Sequence, residues 1–327
     1  MADLEIGLII YAMKSKLLFD VPDYKKIRVI IDTDAACEAD DPFAIVQALL
    51  SPKAIVRGIL AEHFNVPGSV QRSYAEIQTI LEAMNADNIQ TLMGQEGPLD
   101  DDFYSLAEKS PEALQVSPAV DFIIKEASTV PEALEGPQKP LFVLCQGAIT
   151  NVAAALLKKP EIADRMTIVW IGTHGLKEKA PFREFNAGND VRAANYVLSH
   201  AKNLWLIPSD VYATIRVGLA ELQQKVLPCG KIGKHLFEQM IAYNNSEGAG
   251  WTKGESWSLG DSPAIAVALN DWAGHYIEHE APFVEEDTSS SFGHNLPVVR
   301  MYTDMDSRYI LEDFFAKLQI NFGNQPT

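Results

Sequence analysis

The chain's 327 residues carry a formal net charge of −17, and 47% of them are hydrophobic. That hydrophobic share is ample for a buried core and excludes a disordered chain. The acidic excess excludes nucleic acid and anionic membranes as partners, because their phosphates need Lys and Arg opposite them, and it leaves neutral or cationic small molecules open.

Residues 1–26 form an extension ahead of the first expected strand, 27–31. The apolar stretch 5–13 follows Asp3 rather than a basic segment, and it is short for a signal peptide. No apolar run reaches bilayer-spanning length. Cys37, Cys145 and Cys229 have neither a disulfide-framework nor a zinc-site spacing, which fits a reducing compartment. A soluble, cytoplasmic protein is expected.

Directly after that strand come Asp32, Asp34, Glu38, Asp40 and Asp41, five acidic side chains in ten positions. Crowded carboxylates repel and raise one another's pKa. A hard cation with several oxygen ligands removes that cost. The plainer alternative is an acidic loop in which Asp40 and Asp41 only feed the N-terminus of a helix over 42–50.

A second strand is expected over 55–61, then a polar turn with His63 and Asn65, a helix over 73–84 and a short strand over 89–93. The Asp-rich insertion 98–117 has no assignable structure. A helix over 119–127, a strand over 141–145, Thr150, a helix over 152–158 and a strand over 166–171 follow. Beyond His174, the residues Glu184 and Asn186 flank Phe185. An extended segment would aim both to one side, and a carboxylate with an amide suits the clamping of vicinal hydroxyls. The alternative there is a turn into an N-cap at Asn189 or Asp190.

A helix over 191–200 and a strand over 204–207 come next, then helical stretches over roughly 217–227 and 231–245 that are expected to cover one end of the sheet. Trp251 and Trp257 precede Asp261 and either stack on a base or pack. Asp261 either completes the acidic cluster or caps the helix opened by Ser262-Pro263. The strand–loop–helix rhythm predicts an α/β fold, a mostly parallel open sheet with helices on both faces, in one domain over 27–327. Ligands in such folds bind beyond the carboxyl ends of the strands, where Asp32, Asp34, Asn65, Thr150 and Glu184 fall.

Taken in order, five motifs resemble those of the inosine–uridine-preferring nucleoside hydrolase family. They are Asp32-Thr33-Asp34 with Asp40-Asp41, Asn65, Gly147-Ala148-Ile149-Thr150-Asn151, Glu184-Phe185-Asn186 and Gly260-Asp261-Ser262-Pro263. The tail 298–306 is similar to the family's closing segment. The resemblance implies a Rossmann-like nucleoside hydrolase fold and calcium-dependent hydrolysis of a ribonucleoside's N-glycosidic bond, giving free base and ribose. It also implies a place in purine or pyrimidine salvage and a homodimer or homotetramer.

By the same resemblance, Asp34, Asp41, the carbonyl of Thr150 and Asp261 hold Ca²⁺, and Asp34 is also the general base. Asp40, Asn65, Glu184 and Asn186 hold the ribose, with Asp261 also touching the sugar, and Asp32 steadies the loop. His63, His174, Trp251 and Trp257 are candidates for contact with the base.

Two departures stand out. Two extra residues separate Asp34 from Asp40 relative to the family's commonest Asp-x-Asp-Pro-Gly-x-Asp-Asp. Gly260 stands where many members carry a His, the proposed leaving-group acid, a group that contributes about two to four decades of rate. His63 and His174 are the candidate substitutes. Gly260 also supports a rival reading, a non-catalytic or repurposed binder of a ribosyl ligand. A second rival, a haloacid-dehalogenase-type phosphohydrolase, accounts for Asp32-x-Asp34 and Gly260-Asp261 but leaves Asp40-Asp41 and Glu184-Phe185-Asn186 unexplained.

Overall fold

Strand β1 (Ile27–Thr33) explains why the sheet is buried on both faces. Val29 and Ile31 pack into one apolar cluster, and Ile30 between them packs into another. Successive strand residues point to opposite faces, so an unbroken apolar run serves two helical layers at once. The computed structural model that shows this describes residues 15–129, 140–177 and 181–323; the apolar stretch 5–13 lies outside them.

The other strands are β2 (Ala54–Ala61), β3 (Thr91–Met93), β4 (Leu141–Cys145), β5 (Thr167–Ile171), β6 (Leu204–Ile207), β7 (Arg216–Gly218), β8 (Ser256–Ser258), β9 (Gly274–Glu280), β10 (Phe283–Val284), β11 (Ser290–Ser291) and β12 (Val298–Met305). Eight of them form one sheet in the order β3-β2-β1-β4-β5-β6-β12-β9. Every neighbouring pair is parallel except β12 with β9. The expected mostly parallel α/β fold is present.

One layer contains helices Asp41–Leu49, Ser69–Met84, Gly230–Asn244, Ser262–Leu269 and Ser307–Phe322, packed on Val29, Ile31, Leu144 and Val169. The opposite layer contains Pro118–Ser128, Thr150–Lys158 and Val191–His200, packed on Ile30, Val143 and Trp170. Among the described residues, no helix is long and apolar enough to cross a membrane.

The insertion 98–117 is ordered by local capping. Asp100 accepts a hydrogen bond from the Phe103 amide at 2.8 Å and starts helix Asp101–Lys109, which buries Tyr104 and Ala107. Edge strand β9 went unread because four of its seven residues are exposed, so its sequence lacks the apolar run of the interior strands.

Strand order turns back between β1 and β4, each of which leads to neighbours on opposite sides. Connections diverging from such a point leave a crevice at the carboxyl ends of the two strands. Asp32 and Asp34 stand at the end of β1, and Gln146 and Gly147 at the end of β4.

Candidate active site

β1 carries its burial into the acidic motif: Asp32, Thr33 and Asp34 are all buried. Asp32 accepts a hydrogen bond from the Asn151 side-chain amide at 2.9 Å, which ties the end of β1 to helix Thr150–Lys158. Its neighbour Glu62 was missed as one acid in a polar turn, yet Glu62 is buried with no donor to either oxygen. Burial, then the charge of Asp32, pushes the Glu62 carboxyl upward; burial raises Asp32 to about 7.

Gly147 makes this crowding possible. A Cβ on it would sit 2.4 Å from Glu62 Oε2 and 2.6 Å from Asp34 Oδ1, so a side chain there would drive the two carboxyls apart.

The expanded loop returns at helix Asp41–Leu49. Thr33 donates its hydroxyl to Asp41 Oδ1, and the Gly260 amide donates to Asp40 Oδ2 at 2.8 Å. Asp261 precedes helix Ser262–Leu269 but makes no side-chain cap, so the capping alternative fails and its carboxylate faces the cluster. One oxygen from each of Asp40, Asp41 and Asp261 lies within 4.8 Å of the others. Burial and the facing acids push Asp34, Asp40 and Asp261 up; burial brings Asp41 to about 6 and Glu38 to about 7.

These acids surround a cleft of about 90 Å³. Asp34, Glu38, Asp40, Asp41 and Asp261 line it, and no Lys, Arg or His among the described residues does. Cys37 and Glu38, within the lengthened loop between Asp34 and Asp40, are therefore wall residues rather than spare loop.

The Glu184 segment corrects an expectation. It is not extended: Glu184 caps the short helix Phe185–Asn189. Its carboxylate accepts from the amides of Thr173 (3.0 Å), Asn186 (3.3 Å) and Ala187 (2.8 Å), and from the Tyr212 hydroxyl (2.9 Å). A carboxylate so occupied braces the wall. Asn186 does line the cleft; its Nδ2 donates to the carbonyls of Gln146 (3.1 Å) and Ile171 (2.9 Å), which leaves Oδ1 for a ligand.

Several expected residues stand outside the cleft. Thr150 is buried, its hydroxyl donating to Asp190 at 3.0 Å and meeting His63 Nε2 at 2.8 Å. Burial lowers the His63 pKa to about 4, so that ring is neutral. His174 has both ring nitrogens occupied, by the Ser209 hydroxyl and the Phe182 carbonyl, each at 2.8 Å. Trp257 is buried against Tyr243, and Trp251 packs on Trp257. Asn65 is exposed in a left-handed turn at φ 55°. Asn65→Ala is accordingly expected to change kcat and KM by no more than about twofold, as for an ordinary surface substitution. A steady-state assay in which KM rises strongly would return Asn65 to the site.

Tyr212 and Gln146 were not legible from sequence. Gln146 is 2% exposed, lines the cleft, and has no hydrogen-bond partner at either side-chain amide atom. Tyr212 explains Gly260: a Cβ at 260 would lie 3.2 Å from both the Tyr212 ring and Asp40 Oδ2. A side chain starting there requires Tyr212 or Asp40 to give by a few tenths of an ångström.

The family model described as inosine-uridine preferring nucleoside hydrolase matches residues 29–308. The pyrimidine-specific ribonucleoside hydrolase RihA of Klebsiella pneumoniae (strain 342) is 25% identical over 311 residues, 85% of this chain and 94% of that one. Among solved structures, an inosine-guanosine nucleoside hydrolase superposes with a TM-score of 0.71 at 20% identity, covering 89% of this chain and 98% of that one. The purine-preferring ribonucleoside hydrolase from Gardnerella vaginalis gives 0.69 at 22% identity with the same coverage.

Proposed function

The chain belongs to the inosine-uridine preferring nucleoside hydrolase family, and on that premise we propose that it splits a ribonucleoside into base and ribose with a divalent cation, Ca²⁺, in the acidic cleft. The observation that carries this reading is the convergence of Asp40, Asp41 and Asp261 within 4.8 Å at the β1/β4 crevice, with no cationic side chain among the described residues lining it. Uncompensated carboxylate oxygens of this kind match a hard cation. Asp41 and Asp261 would hold it with Asp34, and Asp40 is close enough to share it. When bound, the cation supplies Lewis acidity that lowers the pKa of water.

The remaining work falls to the chain itself. Asp34, buried at the end of β1, accepts the proton of the attacking water. Asn186 Oδ1 and the Gln146 amide offer an acceptor and a donor–acceptor pair to the sugar hydroxyls. The surrounding carboxylates favour the positive charge that builds on the sugar as the C1′–N bond lengthens. Family membership also supports a nucleoside as the small-molecule partner, and a salvage role and homo-oligomeric assembly belong to the same proposal.

Ribose release from inosine, guanosine and uridine, assayed with calcium and after EDTA, tests this reading. Release that EDTA stops supports it; no release from any nucleoside with calcium present overturns it. Gln146→Leu checks the sugar contact. It is expected to raise KM by up to about tenfold while the ligand-free protein melts higher, because a buried amide without partners is costly. An unchanged KM would remove Gln146 from the sugar site.

A further inference from the structure

We propose that strand β9 is an interface between two copies of this chain, paired edge to edge and antiparallel about a two-fold axis at Ile277. This names the surface for the homo-oligomeric assembly proposed above, and it rests on that part of the reading rather than on the hydrolysis.

β9 closes one edge of the sheet: among the described residues it pairs with β12 alone. The opposite edge, β3, is only three residues long. An open edge is a template for another strand, and natural edges are blunted by shortness, Lys or Pro. β9 runs for seven residues without Lys or Pro, and His275, Tyr276, Ile277 and Glu278 are exposed along it. Trp272, in the turn just before the strand, is 87% exposed.

The ladder to β12 fixes which backbone groups are free. The Ala281 amide donates to the Pro297 carbonyl at 2.9 Å, Glu280 pairs with Val298, and Ile277 pairs with Met301. Bonded and non-bonded pairs alternate along an antiparallel ladder. Ile277 and His279 therefore turn their backbone groups to β12, and Tyr276 and Glu278 turn theirs outward. A two-fold axis at Ile277 sets Tyr276 opposite Glu278 of the partner subunit, so every outward N–H and C=O of those two residues finds a partner. Ile277 then meets its own counterpart at the close, non-bonded position and makes an apolar centre. An axis at Glu278 would instead set two carboxylates directly opposite each other, which is destabilising. Tyr276 is held ready for pairing, with its ring centroid 4.0 Å from the Arg300 guanidinium and 5.6 Å from the Tyr302 ring.

Sedimentation equilibrium on the full chain, as wild type, Ile277→Lys and Glu278→Pro, reads the dissociation constant, with melting temperature as the check on folding. Wild type is expected to self-associate at micromolar concentration. Ile277→Lys brings two ammonium groups together and should raise the dissociation constant by about tenfold or more. Glu278→Pro removes an N–H that faces solvent in the single copy, so an edge strand tolerates it, yet it should weaken association as well. Ile277→Cys should form an interchain disulfide under mild oxidation, because Cα atoms of a non-bonded pair stand about 4.5 Å apart. Glu278→Cys and wild type should not. A wild-type monomer at all concentrations overturns both this interface and the assembly reading, whatever the ribose assay gives. Association that neither Ile277→Lys nor Glu278→Pro weakens overturns the interface and leaves the assembly reading standing. Cross-linking of Glu278→Cys without Ile277→Cys overturns the axis at Ile277.

Discussion

Asp34→Asn is expected to lower kcat for ribose release by about two to four decades, the range for loss of a positioned general base, with the fold unchanged. The substitution keeps the shape of the side chain and removes only the charge and basicity. Asp34 sits with its carboxylate against Gly147 and close to Asp41, at the end of a strand buried at nearly every position. A second consequence separates chemistry from folding. In the cation-free protein Asp34 is a buried acid opposed by Asp41, Glu38 and Asp40. Removing its charge relieves that opposition, so the variant should melt at a higher temperature than wild type when EDTA is present. Near-normal turnover would remove Asp34 as the base, and a lower melting temperature in EDTA would refute the account of the cluster as repulsive.

Chelation is expected to stop turnover and to make stability depend on pH with a definite sign. In the fold, Asp32, Glu38 and Asp41 are raised to about 7, about 7 and about 6 from ordinary values of 3.8, 4.5 and 3.8. A carboxyl whose folded pKa lies above its unfolded pKa holds its proton longer in the fold. Over the interval between the two values the native state binds more protons, and stability falls as pH rises. For these three groups the penalty is absent below about pH 4 and is complete only once pH has risen through about 7. Melting curves in EDTA should therefore drop steadily across that window. Calcium should flatten the slope and raise the high-pH end most, since a cation replaces the lost protons. A slope that calcium does not change would place the cation elsewhere.

Much of this was legible in the sequence, for physical reasons. Interior strands such as β4 and β6 read cleanly because burial on both faces leaves an unbroken apolar run between turns. The acids of the first motif read as a cluster because crowded charge is costly unless something offsets it, whereas Asp261, distant in the chain, also reads as the cap of its own helix and joins the cluster only through the family resemblance. What stayed hidden depended on contacts distant in the chain. Glu184 reads as a free carboxylate until Thr173 and Tyr212 are placed beside it. His63 reads as a loop imidazole until Thr150, 87 positions away, closes over it. Gln146 carries no sequence signal at all, because its importance lies in lacking partners where nearly every buried amide has them.

The contact between Gly260 and Tyr212 also fixes an order in which this cleft can change. Gly260 lies outside the left-handed backbone region, so nothing in the main chain demands glycine there; only the neighbours do. Gly260→His alone forces the Tyr212 ring or Asp40 to move and should damage the site. After Tyr212→Ala, the same replacement has room. The two substitutions are thus expected to show sign epistasis, harmful singly at 260 and beneficial on the smaller background, measured as cleavage of nucleosides with neutral bases. With Tyr212 in place a single step does not admit an imidazole at 260, and the route to one runs through a loosened wall first.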